Sequence, residues 1–149
     1  ARPSISCPGC SPAFATTTYE GQALSSESLA GTPHLLYFWF TGCPPCVRTS
    51  PFLAELDRAY ATKGFRIVGL NADRVLEIPT TDADRAAYAT KHAWAFTLAH
   101  MTPEVQEAYG TVSVFPTLFF VDRKGTVVKQ LVNFQEKAAL EEAIRRALQ

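Results

Sequence analysis

The chain has 149 residues, 47% of them hydrophobic, which fits one domain with a sizeable core. Lys plus Arg and Asp plus Glu number 14 each, so the formal net charge is zero; no basic stripe points to nucleic acid and no charged tail to a membrane surface. No apolar run approaches the roughly 18 residues of a membrane span, and the opening ARPSISCPGC lacks the apolar stretch of a signal peptide, which leaves a cytosolic protein or one whose leader or anchor precedes residue 1.

In chain order, FATTTYEGQALSS carries strand-like runs around a turn at Glu20-Gly21, a hairpin. SSESLAG reads as a helical turn, capped by Ser25 or Ser26 and stopped by Gly31. HLLYFWF (34–40) is continuously apolar, the pattern of a strand buried on both faces. CVRTSPFLAELDRAY follows with Phe52, Leu53, Leu56 and Tyr60 at helical spacing, with Pro51 expected to kink it and Gly64 to end it. FRIVGLN (65–71) is the next buried strand, and 72–81 reads as loop. DADRAAYATKH (82–92) is helical with Asp82 as candidate cap, and Thr102-Pro103-Glu104 opens another helix that Gly110 closes. FPTLFFV and TVVKQLV are strands joined by DRKG. Asn133 with Glu136 suggests a capping box before a last helix, which shows Leu140, Ile144 and Leu148 on one face and pairs Glu141–Arg145 and Glu142–Arg146 at i,i+4. The order is therefore hairpin, β, α, β, α, α, β, β, α, containing one βαβ unit and a closing antiparallel pair.

Four cysteines stand in two C-x-x-C pairs, Cys7/Cys10 and Cys43/Cys46. Such pairs signal redox or metal chemistry. Cys43-Pro44-Pro45-Cys46 falls where the buried strand passes into a helix. Free N–H groups and the helix dipole stabilise a thiolate there, so Cys43 is the attacking sulfur and Cys46, one turn on, resolves the mixed disulfide. Two prolines leave fewer donors near the sulfur, which favours electron donation. The alternatives are an inert structural disulfide, or a zinc site using all four cysteines, although the gap from Cys10 to Cys43 exceeds the roughly 15–20 residues of a zinc ribbon.

The sequence resembles thioredoxin-fold proteins, and more closely the TlpA/ResA group of extracytoplasmic thiol-disulfide oxidoreductases, over nearly the whole chain. SPAF resembles that group's Ala-Pro-Asp-Phe start, and SLAGTPHLLYFWFTGCPPC its strand-led segment ending in Cys-Pro-Pro-Cys. Pro51 falls on its helix-kinking proline, and VFPTLFFVDRKGTVV on its cis-proline loop and hairpin. The resemblance implies a reductase of protein disulfides with Cys43 as nucleophile, Cys46 as resolving thiol and Pro116 as a cis-proline facing the disulfide, where backbone near Phe115 pairs with a substrate strand; an ordinary edge-strand proline is the alternative for Pro116. There are departures. Gly42 replaces the Trp before the first cysteine, Tyr37 the buried Asp or Asn, and Thr49 the Glu found shortly after the second cysteine in the ResA branch. The proton acceptor for Cys46 is left unassigned. Asp73 and Glu77 are candidates, each also readable as part of a solvated loop. Trp39 reads as core, with the substrate lip as the alternative, and His34, His92 and His100 as surface or capping residues without ligand spacing.

The expectation is an α/β thioredoxin fold with an N-terminal β-hairpin and a central insertion, residues 1–12 forming a segment with the extra C-x-x-C and 13–149 the domain. The function expected is thiol-disulfide exchange, reductive in the sense of donating electrons to protein disulfides, through Cys43 and Cys46 with Pro44, Pro45, Phe115 and Pro116 shaping the active-site loop. Cys7 and Cys10 form a candidate second redox pair. The exchange needs no cofactor and no metal. Partners are protein disulfides and an upstream thiol donor, not nucleic acid, with membrane anchoring through a segment outside this sequence, and the location is periplasmic or otherwise extracytoplasmic. A disulfide oxidase or isomerase is the alternative within the class; a zinc-binding or chaperone module is the alternative outside it.

Overall fold

The computed structural model describes residues 9–149; Cys7 lies outside the described residues. Five strands form the central sheet: β3 (His34–Trp39), β4 (Arg66–Asn71), β5 (Thr97–His100), β6 (Thr117–Val121) and β7 (Val127–Val132), in the order β5-β4-β3-β6-β7. β3, β4 and β5 run parallel, whereas β6 and β7 are antiparallel to their neighbours. A separate ribbon of β1 (Ala15–Thr17) and β2 (Ala23–Ser25) precedes the sheet. It is tied to β5 by a bridge between Thr18 and Ala99 and by the Tyr19 N–H donating to Leu98 O at 3.0 Å.

β3 is central because all six of its side chains are buried. Alternation sends Leu35, Tyr37 and Trp39 to one face, packed against Leu53, Leu56 and Tyr60 of α1 (Pro44–Tyr60) and Leu140 and Ile144 of α4 (Lys137–Leu148). Leu36 and Phe38 point to the other face, against Phe14, Leu24, and Val105 of α3 (Pro103–Ala108). Helices on both faces of a mixed sheet, parallel on the β5-β4-β3 side and antiparallel on the β6-β7 side, make a thioredoxin-like α/β fold, with the two-stranded ribbon at its N-terminus.

Several local expectations change. β5 is a strand that the sequence pattern did not reveal. α2 (Asp82–Lys91) is capped by Thr81, not Asp82: the Thr81 hydroxyl accepts from Asp84 N–H and the Asp84 carboxylate from Thr81 N–H, so the capping box begins one residue earlier. α4 takes Glu136 as its N-cap without a side-chain cap bond, and Asn133, at φ +72°, instead accepts from the Phe134 N–H. Glu141–Arg145 pairs at 3.4 Å; among the described residues Glu142–Arg146 does not. His34 and His100 are buried and not surface residues, whereas His92 does cap α2.

Candidate active site

β3 delivers the chain to the C-terminal edge of the sheet, where Phe40–Cys43 turns it into α1. The turn is closed by Cys43 N–H donating to Phe40 O at 3.3 Å, with Gly42 at φ +88°, the third position where a type II turn needs glycine. Cys43 is the N-cap of α1. Pro44 and Pro45 fill the first two helical positions, where a missing N–H costs nothing. The Cys46 N–H donates to Cys43 Sγ at 3.3 Å and the Val47 N–H to Cys43 O at 2.9 Å. Of the four N–H groups that a helix normally leaves open, two are thus absent, one returns to the backbone and one faces the sulfur.

Cys43 and Cys46 form a disulfide with a Cα–Cα distance of 5.1 Å. Cys46 is fully buried and Cys43 is 1% exposed. The Phe115–Pro116 peptide bond is cis. It brings Phe115 O to 3.6 Å from Cys43 Sγ, while Pro116 O accepts from Asn133 N–H at 2.7 Å. Phe115 is half-buried and stacks edge-on against Phe40, 5.5 Å between ring centres. Large exposed apolar side chains gather in these same segments: Val47 in the first turn of α1, Val114 beside Phe115, and Val132, which pairs with Thr117. Two surface clefts lie elsewhere, around Arg66, Phe96 and Thr97, and no cysteine lines them. A reacting sulfur at a rimmed edge suits a chain segment laid across it better than a small molecule enclosed in a cavity.

Beneath the disulfide, the Tyr37 hydroxyl donates to Cys46 O at 3.4 Å and the Ser50 hydroxyl to the same oxygen at 2.9 Å. Burial pushes the Tyr37 phenol well above its ordinary range, so it stays a neutral donor. Thr49 donates to Pro45 O at 2.7 Å. Trp39 is core, its ring edge-on to Trp94. The solvated-loop reading of Asp73 is wrong. Its side chain is fully buried and accepts from the Thr41 N–H at 2.9 Å, the Thr41 hydroxyl at 2.7 Å and the Thr80 hydroxyl at 2.5 Å. Glu77 is exposed. The Ser50 bond is a local back-bond to the residue four earlier in α1, whereas the Tyr37 donor crosses from β3 to α1 and the Asp73–Thr41 bonds join residues 32 apart, contacts that no sequence pattern marks.

Cys10 is disulfide-bonded and sits at the other end of the molecule. It bridges Thr126 at the β6–β7 turn, flanked by the Ser11 N–H donating to Gly125 O at 2.7 Å and the Val127 N–H donating to Gly9 O at 2.8 Å. Pro116 stands at the opposite end of β6, about 20 Å away at the rise of a strand. The geometry does not gather Cys10 with Cys43 and Cys46 into one metal site.

A sequence model of the Redoxin family matches residues 11–144. The chain belongs to that family. It is 32% identical over 137 residues to the thiol-disulfide oxidoreductase ResA of Bacillus thuringiensis (strain Al Hakam), covering 91% of this chain and 75% of that protein. It is 26% identical over 133 residues to the thioredoxin-like protein YneN of Bacillus subtilis (strain 168), covering 89% and 75%. Among solved structures, a thiol:disulfide interchange protein of the thioredoxin family from Chlorobium tepidum TLS superposes with a TM-score of 0.82 at 26% identity, covering 98% of this chain and all of that one. With the Cys43–Cys46 disulfide at the head of α1, the redoxin relationship makes this chain a thioredoxin-like thiol-disulfide oxidoreductase.

Proposed function

We propose that the protein reduces disulfides in other proteins, outside the cytoplasm, with Cys43 attacking and Cys46 resolving. The observation that carries the direction is the poverty of donors at Cys43: of the N2 and N3 N–H groups that an N-cap side chain can reach, Pro45 lacks one and only that of Cys46 faces the sulfur. A thiolate held so weakly gives up electrons readily. In the reaction the Cys43 thiolate attacks one substrate sulfur, forming a mixed disulfide and releasing the other as thiolate. Cys46, losing its proton, then attacks Cys43 and frees the second substrate sulfur, leaving the substrate a dithiol and the protein oxidised. Phe115, Val114 and Val47 offer the substrate chain an apolar rim, and Pro44, Pro45 and the cis Phe115–Pro116 pair shape the edge it meets. An upstream dithiol donor resets the disulfide.

Cys7 and Cys10 we assign to exchange between molecules, since Cys10 is stationed at the opposite end of β6 from the Cys43 site. The extracytoplasmic setting, and anchoring through a segment outside this sequence, follow from the TlpA/ResA resemblance. The test is trapping. Reduced Cys46→Ser protein should accumulate mixed disulfides through Cys43 with a disulfide-bonded protein such as insulin, and Cys43→Ser should form none. Trapping through Cys46 in the Cys43→Ser variant would reverse the roles.

A further inference from the structure

We infer that Asp73 is a positioning residue for Cys43: it clamps the turn that delivers the attacking sulfur to the head of α1. The inference rests on the reading of Cys43 as the attacking group. A carboxyl side chain buried without exposure is costly unless its oxygens are satisfied. Here three donors satisfy it, and two of them belong to Thr41, held at its backbone N–H and at its hydroxyl. Thr41 is the second residue of the Phe40–Cys43 turn, directly before Gly42. The clamp therefore fixes main chain and side chain together, two residues from the reacting sulfur.

The other side of the clamp is anchored on α2. Thr80, the third donor to Asp73, accepts from Arg85 Nη1 at 2.9 Å through its hydroxyl and at 3.2 Å through its carbonyl. Arg85 is buried, pairs with Asp82 and lies 5.6 Å from the centre of the Tyr19 ring. Asp73 is itself oriented by its N–H donating to Asn71 Oδ1 at 3.0 Å, at the end of β4. Thr41 is in this way tied to β4 and to α2, two elements that do not carry the cysteines.

The consequence falls on Cys43. Its sulfur must stay within reach of the Cys46 N–H and beside Phe115 O. The turn sets where the N-cap residue begins, and a loosened turn lets the sulfur drift from its one donor. Asp73 acts through Thr41, to which two of its three side-chain hydrogen bonds run.

The experiment is the pH dependence of Cys43 alkylation by iodoacetamide in the reduced full chain, read on the Cys43 peptide by mass spectrometry. Asp73→Ala should slow alkylation at pH 7 about fivefold, the factor that one lost hydrogen bond carries, and move the pH profile upward. Thr41→Val, which keeps the branched shape but loses the hydroxyl, should shift in the same direction and add little to Asp73→Ala in the double variant. Thr41→Ser, which keeps the hydroxyl, should restore the wild-type profile. Should Asp73→Ala fail to fold, the Thr41 pair decides. A Thr41→Val profile that overlays the wild type, or a Thr41→Ser profile displaced as far as that of Thr41→Val, overturns the proposal. Alkylation needs no disulfide substrate, so a failure of the reductase reading, seen as absent insulin reduction by the wild type, is distinguishable from a failure of the clamp.

Discussion

Reducing the Cys43–Cys46 bond should make the fold less stable, and the size of the effect sets the direction of electron flow. The disulfide closes a four-residue ring, residues 43 to 46. In the chain-entropy account such a ring removes freedom from the unfolded chain worth about 2 kcal/mol at 25 °C. The opposing effect is stabilisation of the Cys43 thiolate by the head of α1, about 0.3–1 kcal/mol for a charge at a helix terminus. It sits at the modest end here because Pro44 and Pro45 carry no N–H, which leaves the Cys46 N–H as the donor at the sulfur. The net is about 1 kcal/mol in favour of the oxidised fold, or about 2–4 °C in Tm for a chain of this length. By the thermodynamic cycle, a fold that is more stable oxidised than reduced makes its disulfide harder to reduce than the same pair in the unfolded chain, here by about 20 mV. Guanidinium unfolding of oxidised and reduced protein under argon at pH 7, with the potential measured against a glutathione buffer, tests both numbers. A reduced form that unfolds at the higher denaturant concentration refutes the reasoning and makes the protein an oxidant.

Gly69→Ala should destabilise by about 1–2 kcal/mol, the overpacking cost less the gain from a stiffer unfolded chain, because the added Cβ would lie 2.9 Å from Leu98 Cδ2 and 3.3 Å from both Phe96 Cε1 and Trp39 Nε1; thermal unfolding followed by circular dichroism checks it, and an unchanged or raised Tm counts against it. Burial holds His34 and His100 below the ordinary histidine range. The unfolded chain therefore binds protons first as pH falls, so their contribution is intact above about pH 6.5 and lost below it; Tm should drop between pH 7.5 and 5, and drop less in His34→Asn/His100→Asn protein. At low protein concentration, where copies rarely meet, Cys7→Ser/Cys10→Ser protein should reduce and reoxidise Cys43–Cys46 with a dithiol donor within about twofold of the wild-type rate; a marked slowing there would show that the far pair feeds the central one within its own chain.

The strand-to-helix placement of Cys43-Pro44-Pro45-Cys46 was legible in the sequence because local patterns encode it. A continuously apolar run makes a strand buried on both faces wherever a sheet forms around it, and prolines at the first helical positions mark a helix start. The same holds for β4, α1 and the β6–β7 hairpin, whose signals lie within a dozen residues. What the tertiary structure alone decided involves partners far apart in the chain. β5, Thr-Leu-Ala-His, is too short and mixed to read as a strand and becomes one by pairing with Val68–Asn71 of β4. Asp73 looks like any loop carboxylate until Thr41, 32 residues earlier, supplies two donors and allows its burial. His34 begins the central strand and His100 ends β5, so packing buries both despite their polarity. The spacing of Cys7 and Cys10 told nothing of where that segment lies; the backbone bonds of Gly9 and Ser11 to the β6–β7 turn put Cys10 at the end of the sheet away from Cys43. Periodicity is a property of neighbours in sequence, whereas burial of a polar group and the distance between two sulfurs depend on contacts that exist only once the sheet has closed.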